Sequence, residues 1–158
     1  DAVCNGVDDR HKRLQKPACL LSEVGRLEQP DYRVDHALTR VMRFQFVGID
    51  HVERAFLALA VASRYGKTIG AARSRSSVEQ LLSKEEKALA RATGFAIRLG
   101  FAISGGVSRN LKLYHLERDG DHLRLVADSK KRQMMGEVVE RRLATLAEAL
   151  ECSWSIEC

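Results

Sequence analysis

Asp50-His51-Val52-Glu53-Arg54-Ala55-Phe56-Leu57-Ala58-Leu59-Ala60-Val61-Ala62 is the stretch that decides the fold. The Asp50 side chain can accept from the free N–H groups at a helix start while Glu53, three residues on, reaches back, which is the spacing of a capping box. Behind it Val52, Ala55, Phe56, Leu59, Ala60 and Ala62 make a wide apolar face, and Ala58 and Val61 widen it further. A helix apolar over so much of its circumference belongs near the centre of a core.

Working outward, Ser83 with Glu86 repeats the start signal, and the helix it opens should run to about Ile103, where Gly105-Gly106 stops it. Its expected core face is Leu89, Ala92, Ala96, Leu99 and Ile103, with Lys84, Lys87, Arg91 and Arg98 on the opposite or flanking sides. Leu111 and Leu113, then Leu123 and Leu125, alternate around the turn signal Asp119-Gly120, which predicts a β-hairpin. A lone hairpin is marginal, so it must pack on the helical body. From Asp128 the helical period returns through Val138, Val139, Leu143, Leu146 and Leu150. The fold class is therefore mainly α.

The chain has 158 residues, 45% of them hydrophobic and 30% charged, which excludes extensive disorder and permits a self-sufficient core. No apolar run approaches the roughly 18 residues a membrane helix needs, and no charged-then-apolar leader opens the chain. It starts at Asp1 rather than Met, so processing or a longer parent chain is expected. The cysteines, Cys4, Cys19, Cys152 and Cys158, form no C-x-x-C pair and have no histidine at ligand spacing. Cys19, in Ala18-Cys19-Leu20-Leu21, reads as a small buried side chain, and a reduced, cytoplasmic protein is the simplest expectation.

Catalytic signatures are missing: the sequence has no P-loop, no G-x-S-x-G elbow, no H-E-x-x-H and no dinucleotide-binding glycines. The strongest physical signal is charge. From residue 64 to residue 98 eight basic residues face three acids, an excess equal to the whole net charge of +5. Arg64, Lys67, Arg73, Arg75, Arg91 and Arg98 are the candidate polyanion-binding residues, and the stretch from Lys67 to Ser77 reads as a linker rich in phosphate-compatible donors. Aromatic content of only 6%, with no stacking pattern near this run, argues against single-stranded nucleic acid as the partner. A charge run can equally be a plain solvated face.

Several strings together resemble one family. Ala18-Cys19-Leu20-Leu21-Ser22-Glu23-Val24-Gly25, Pro30-Asp31-Tyr32-Arg33 with Ala37-Leu38, Phe46-Val47-Gly48-Ile49-Asp50-His51, and Arg54 to Ala60 through Arg64-Tyr65-Gly66 are similar to the C-terminal region of the exopolyphosphatase and guanosine pentaphosphate phosphohydrolase family. Matching strings in one order are far more specific than any single motif, and the likeness continues more weakly to about residue 127. The resemblance implies an HD-domain-like helical bundle with a small two-stranded hairpin. It would form a single domain over 1–158, with a polar lead-in over 1–9, a helical body over 10–104, the hairpin over 111–127 and a C-terminal helix over 128–151. It further implies that phosphohydrolase chemistry and its Mg2+ belong to actin-like N-terminal domains of the parent protein. This portion would then be a non-catalytic accessory without a cofactor of its own. Its implied partners are polyphosphate, those catalytic domains and a second copy in dimer contacts; no membrane is implied.

An HD-type metal site needs a His-Asp pair on a helix ahead of a glycine. Here Ser22-Glu23 precede Val24-Gly25, and Arg26 and Gln29 stand where the family leads us to expect an aromatic residue and a histidine. The chain is thus a divergent, degenerate member. The rival readings are a free-standing metal phosphohydrolase using Asp35, His36, Asp50 and His51, and a basic helical module that binds nucleic acid.

Overall fold

The computed structural model describes residues 8–66, 73–127 and 136–157, with side chains throughout except at 73–76. The elements run α1 (Asp9–Leu21), α2 (Arg33–Arg43), α3 (His51–Tyr65), α4 (Arg73–Gln80) and α5 (Lys84–Ser104). A short 3-10 helix (Ser108–Leu113), β1 (Tyr114–Asp119), β2 (His122–Ala127), α6 (Glu137–Ala149) and β3 (Ser153–Glu157) complete the order. The protein is mainly α, as its periodicity requires. Its residues group into two units, one ending at Gly94 and the other beginning at Phe95.

The first unit is built on α3. Its capping box forms as the spacing predicts: Glu53 N donates to Asp50 Oδ1 at 2.8 Å and Asp50 N donates to Glu53 Oε2 at 3.0 Å. Every residue from Ala55 to Ser63 is buried, whereas Val52, in the first turn, is only half-buried. α1, α2 and α4 pack on this helix, contributing Leu14 and Ala18, then Ala37, Leu38 and Val41, then Val78. α1 carries Pro17 in its interior, a residue that removes a helical hydrogen bond. The flanking inward residues Leu14 and Ala18, at most 1% exposed, hold the helix in place by packing.

α5 opens with the second capping box, Glu86 N donating to Ser83 Oγ at 3.1 Å and Ser83 N donating to Glu86 Oε2 at 2.8 Å. Gly94 lets it press directly on α3, because a Cβ there would lie 2.2 Å from the Ala60 carbonyl oxygen. Two expectations fail in this unit. The 67–77 linker is helical from Arg73, because Val78 and Leu82 anchor α4 and its end in the core; Lys67 to Ala72 lie outside the described residues. Cys19 is exposed, since Ala18 takes the inward position and the next residue is rotated by about 100°.

In the second unit Gly105 and Gly106, both at positive φ, end α5 where expected. Of the core face expected for α5 as a whole, Ala92 and Leu99 are buried, while Leu89, Ala96 and Ile103 are half-buried and Ala90, Thr93 and Phe95 take buried places. The hairpin is antiparallel and pairs Asp119 with His122 across Gly120-Asp121, with Gly120 at φ 55°. It starts later than predicted: Leu111 and Leu113 lie in the 3-10 helix, and Tyr114 is the first inward residue of β1. The expected two-stranded sheet has three strands, in the order β1-β2-β3. β3 lies parallel to β2, and α6 provides the crossover that a parallel pair requires. Tyr114 of β1, Leu123, Leu125 and Ala127 of β2 and Val139, Leu143, Leu146 and Ala147 of α6 are the buried residues of this unit's sheet and C-terminal helix. The expected C-terminal helix is observed from Glu137; residues 128–135 lie outside the described part.

Candidate functional site

Tyr65, the last residue of α3, organises the turn after α1. Its hydroxyl donates to the Ser22 carbonyl at 2.6 Å and accepts from Gly25 N at 3.0 Å. Two guanidiniums lie over its ring, Arg64 at 4.6 Å and Arg33 at 5.6 Å from the centroid. Such cation–π contacts strengthen as water is excluded. Burial pushes the Tyr65 phenol up from its ordinary value, the neighbouring Arg64 opposing it. Only glycine fits at position 25, where a Cβ would come 2.9 Å from the Tyr65 ring.

The Glu23 carboxylate accepts from Arg64 and pairs with Arg26 at 3.4 Å. Ser22 is 1% exposed and its hydroxyl donates to the Cys19 carbonyl at 2.6 Å. The two residues that the resemblance sets at an HD-type ligand pair, Ser22 and Glu23, are therefore a buried turn hydroxyl and an ion-paired carboxylate. They do not fit a metal: the serine oxygen faces the backbone and the glutamate is committed to two guanidiniums.

Of Asp35, His36, Asp50 and His51, only Asp50 and His36 are engaged by described partners, whereas Asp35, in the first turn of α2, has a buried Oδ1 without a hydrogen-bond partner among the described residues. Asp50 caps α3 and receives Arg10 at 2.6 Å. His51 is exposed, and His36 on α2 lies 2.8 Å from Glu28 through Nδ1. Among the described residues no three His, Cys, Asp or Glu side chains gather as a metal-holding group.

Of the six basic candidates, Arg64 and Arg91 fall in the first unit and Arg98 in the second, all half-buried. Arg64 is tied to Glu23, its side chain 12% exposed, and Arg91 pairs with Glu79 at 2.7 Å. Lys67 and the side chains of Arg73 and Arg75 lie outside the described residues. A reading of charge along the chain missed the Tyr65 clamp, although Ser22-Glu23-Val24-Gly25 and Arg64-Tyr65 both stood in the matching strings. Their partnership spans some forty residues and obeys no local period.

A second ion-pair network fastens α1 to α3. Glu53, 4% exposed, accepts from Arg10 Nε at 3.0 Å and from Arg13. Burial alone would raise its pKa, but the Asp50 backbone N–H and the two guanidiniums hold it below the ordinary range. No helix among the described residues is long and apolar enough to cross a membrane.

A comparison with curated protein sequences found no match. With its mainly helical fold and a salt-bridged turn at Ser22-Glu23, the sequence matches the model for the C-terminal region of exopolyphosphatase over residues 3–153, and the chain belongs to that family.

Proposed function

We propose that this protein is an accessory domain that holds polyphosphate for hydrolysis by catalytic domains of its parent enzyme, and that it supports dimerisation. The family match across residues 3–153 carries this reading. The uncompensated basic charge between residues 64 and 98 supports it, since multivalent cations suit a linear polyanion. The candidate contacts are Arg64, Lys67, Arg73, Arg75, Arg91 and Arg98, of which Arg64 and Arg91 also hold Glu23 and Glu79 in ion pairs. A cytoplasmic setting agrees with the free thiols of Cys19 and Cys152.

Titration of long-chain polyphosphate at several salt concentrations tests the proposal. Affinity should fall steeply with salt, because each phosphate contact releases counterions. Arg73→Ala with Arg75→Ala should flatten that dependence and weaken long chains more than short ones, since only long chains span several contacts. The isolated protein should release no phosphate from polyphosphate or pppGpp with magnesium or manganese. Equal affinities and equal salt slopes in wild type and double variant would remove these residues from the binding path.

A further inference from the structure

Helix α2 carries Arg33, His36, Arg40 and Arg43, spaced three, four and three residues apart. At about 100° per residue these four side chains fall within one wedge of the helix. Ala37, Leu38 and Val41 face the core. Asp35 is rotated by about 200° from Arg33 and so lies outside the wedge. The only described carboxylate paired with the wedge is Glu28, 19% exposed, which meets His36 at 2.8 Å and Arg40 at 2.5 Å. Arg40 also donates to the Val24 carbonyl at 3.2 Å, and Arg33 donates twice to the Glu28 carbonyl, at 3.2 and 2.9 Å. His36 stacks on Tyr32 at 6.1 Å. Arg43, at the end of the wedge, is exposed.

Arg33, His36 and Arg40 are held in place by these contacts, and Arg33 also lies over the Tyr65 ring. With a rise of 1.5 Å per residue, Arg33 to Arg43 covers about 15 Å. A single phosphate would touch one or two of these groups, whereas an extended chain of phosphates would meet them in succession. The geometry points to α2 as a rail for linear condensed phosphate, leading from Arg43 through Arg40 and His36 to Arg33. This inference rests on the polyphosphate reading above and adds contacts on α2, outside the 64–98 run, to those proposed within it.

Three variants test it against long-chain polyphosphate and tripolyphosphate. Arg40→Gln with Arg43→Gln should weaken the long chain roughly two- to tenfold, as expected for two exposed charge contacts. It should also lower the salt slope by about one per charge removed, with little effect on tripolyphosphate. Arg43→Gln alone, at an exposed position, should give about half of that change and serves where the double variant does not fold. Glu28→Gln removes the competing carboxylate and should tighten binding, the opposite of what a purely structural ion pair predicts. Binding by wild type that is unchanged in the arginine variants overturns the rail and leaves the polyphosphate reading standing. No binding by wild type overturns both. Tighter binding of a single-stranded oligonucleotide of matched charge overturns condensed phosphate as the occupant.

Discussion

Ser22 and Glu23, which the family resemblance sets at the place of a His-Asp pair, have structural roles that are visible atom by atom. Glu23 neutralises Arg64, Arg64 covers Tyr65, and the Tyr65 hydroxyl bridges Ser22 and Gly25. The turn is held by side chains that reach it from α3 and α2. Tyr65→Phe keeps the ring and both guanidinium contacts but removes the bridge. It should cost about 1 to 2 kcal/mol, the usual penalty for leaving partly buried polar groups unpaired. Urea unfolding of the two proteins measures this, and an unchanged midpoint would mean that water replaces the hydroxyl without loss.

At the level of elements, α3 and α5 declare their starts by the same three-residue capping interval, and both boxes form. Two glycines of α5 show how differently one residue type can serve. Gly94 sits against the α3 backbone, with Ala60 O at 2.2 Å and the Ser63 Cβ at 2.7 Å from an added Cβ, whereas at Gly100 the nearest atom is Leu111 Cδ2 at 3.8 Å. Gly94→Ala should therefore force the helices apart and destabilise by roughly 1 to 3 kcal/mol, in the range of overpacked sites. Gly100→Ala should stabilise by up to about 1 kcal/mol, the helix-propensity difference. Calorimetric melting of both variants checks the pair, and a shift of the same sign in both would refute the close approach at Gly94.

For the molecule as a whole, stability should depend on acid in a defined direction. Glu53 has its native pKa depressed by the Asp50 N–H and the Arg10 and Arg13 guanidiniums, against the opposing effect of burial. A depressed native pKa contributes stability that is complete above the ordinary glutamate value of about 4.3 and lost as pH falls through the lower native value. Glu28, lowered by His36 and Arg40, Asp50, lowered by the Glu53 N–H and Arg10, and Asp8, lowered by His11, act with the same sign. Unfolding free energy should thus decline from pH 5 downward (about one unit above that ordinary value). Glu53→Gln should flatten the decline while lowering stability at neutral pH by about 1 to 3 kcal/mol, because two guanidiniums lose their carboxylate. Denaturant titrations from neutral to acid pH read both effects, and an equally steep acid branch in the variant would assign the decline to other carboxylates.

Local chemistry is legible in the residues alone. Capping intervals, helical periods, the Gly105-Gly106 stop and the Asp119-Gly120 turn act over a few residues, so α3, α5 and the hairpin can be read directly. Features that depend on packing cannot. β3 is five residues long and exists through its pairing with β2, across a crossover of more than twenty residues. α4 is helical despite its serines because Val78 and Leu82 are buried, and Arg64 is matched with a glutamate forty-one residues earlier. Charge is the least legible of all: summed along the chain it marks residues 64–98, whereas the α2 wedge is hidden in a segment where Asp31 and Asp35 offset its arginines. Net charge adds along a sequence, but an anion meets only the side chains that share a surface, and that sharing is decided by helix rotation and tertiary contact.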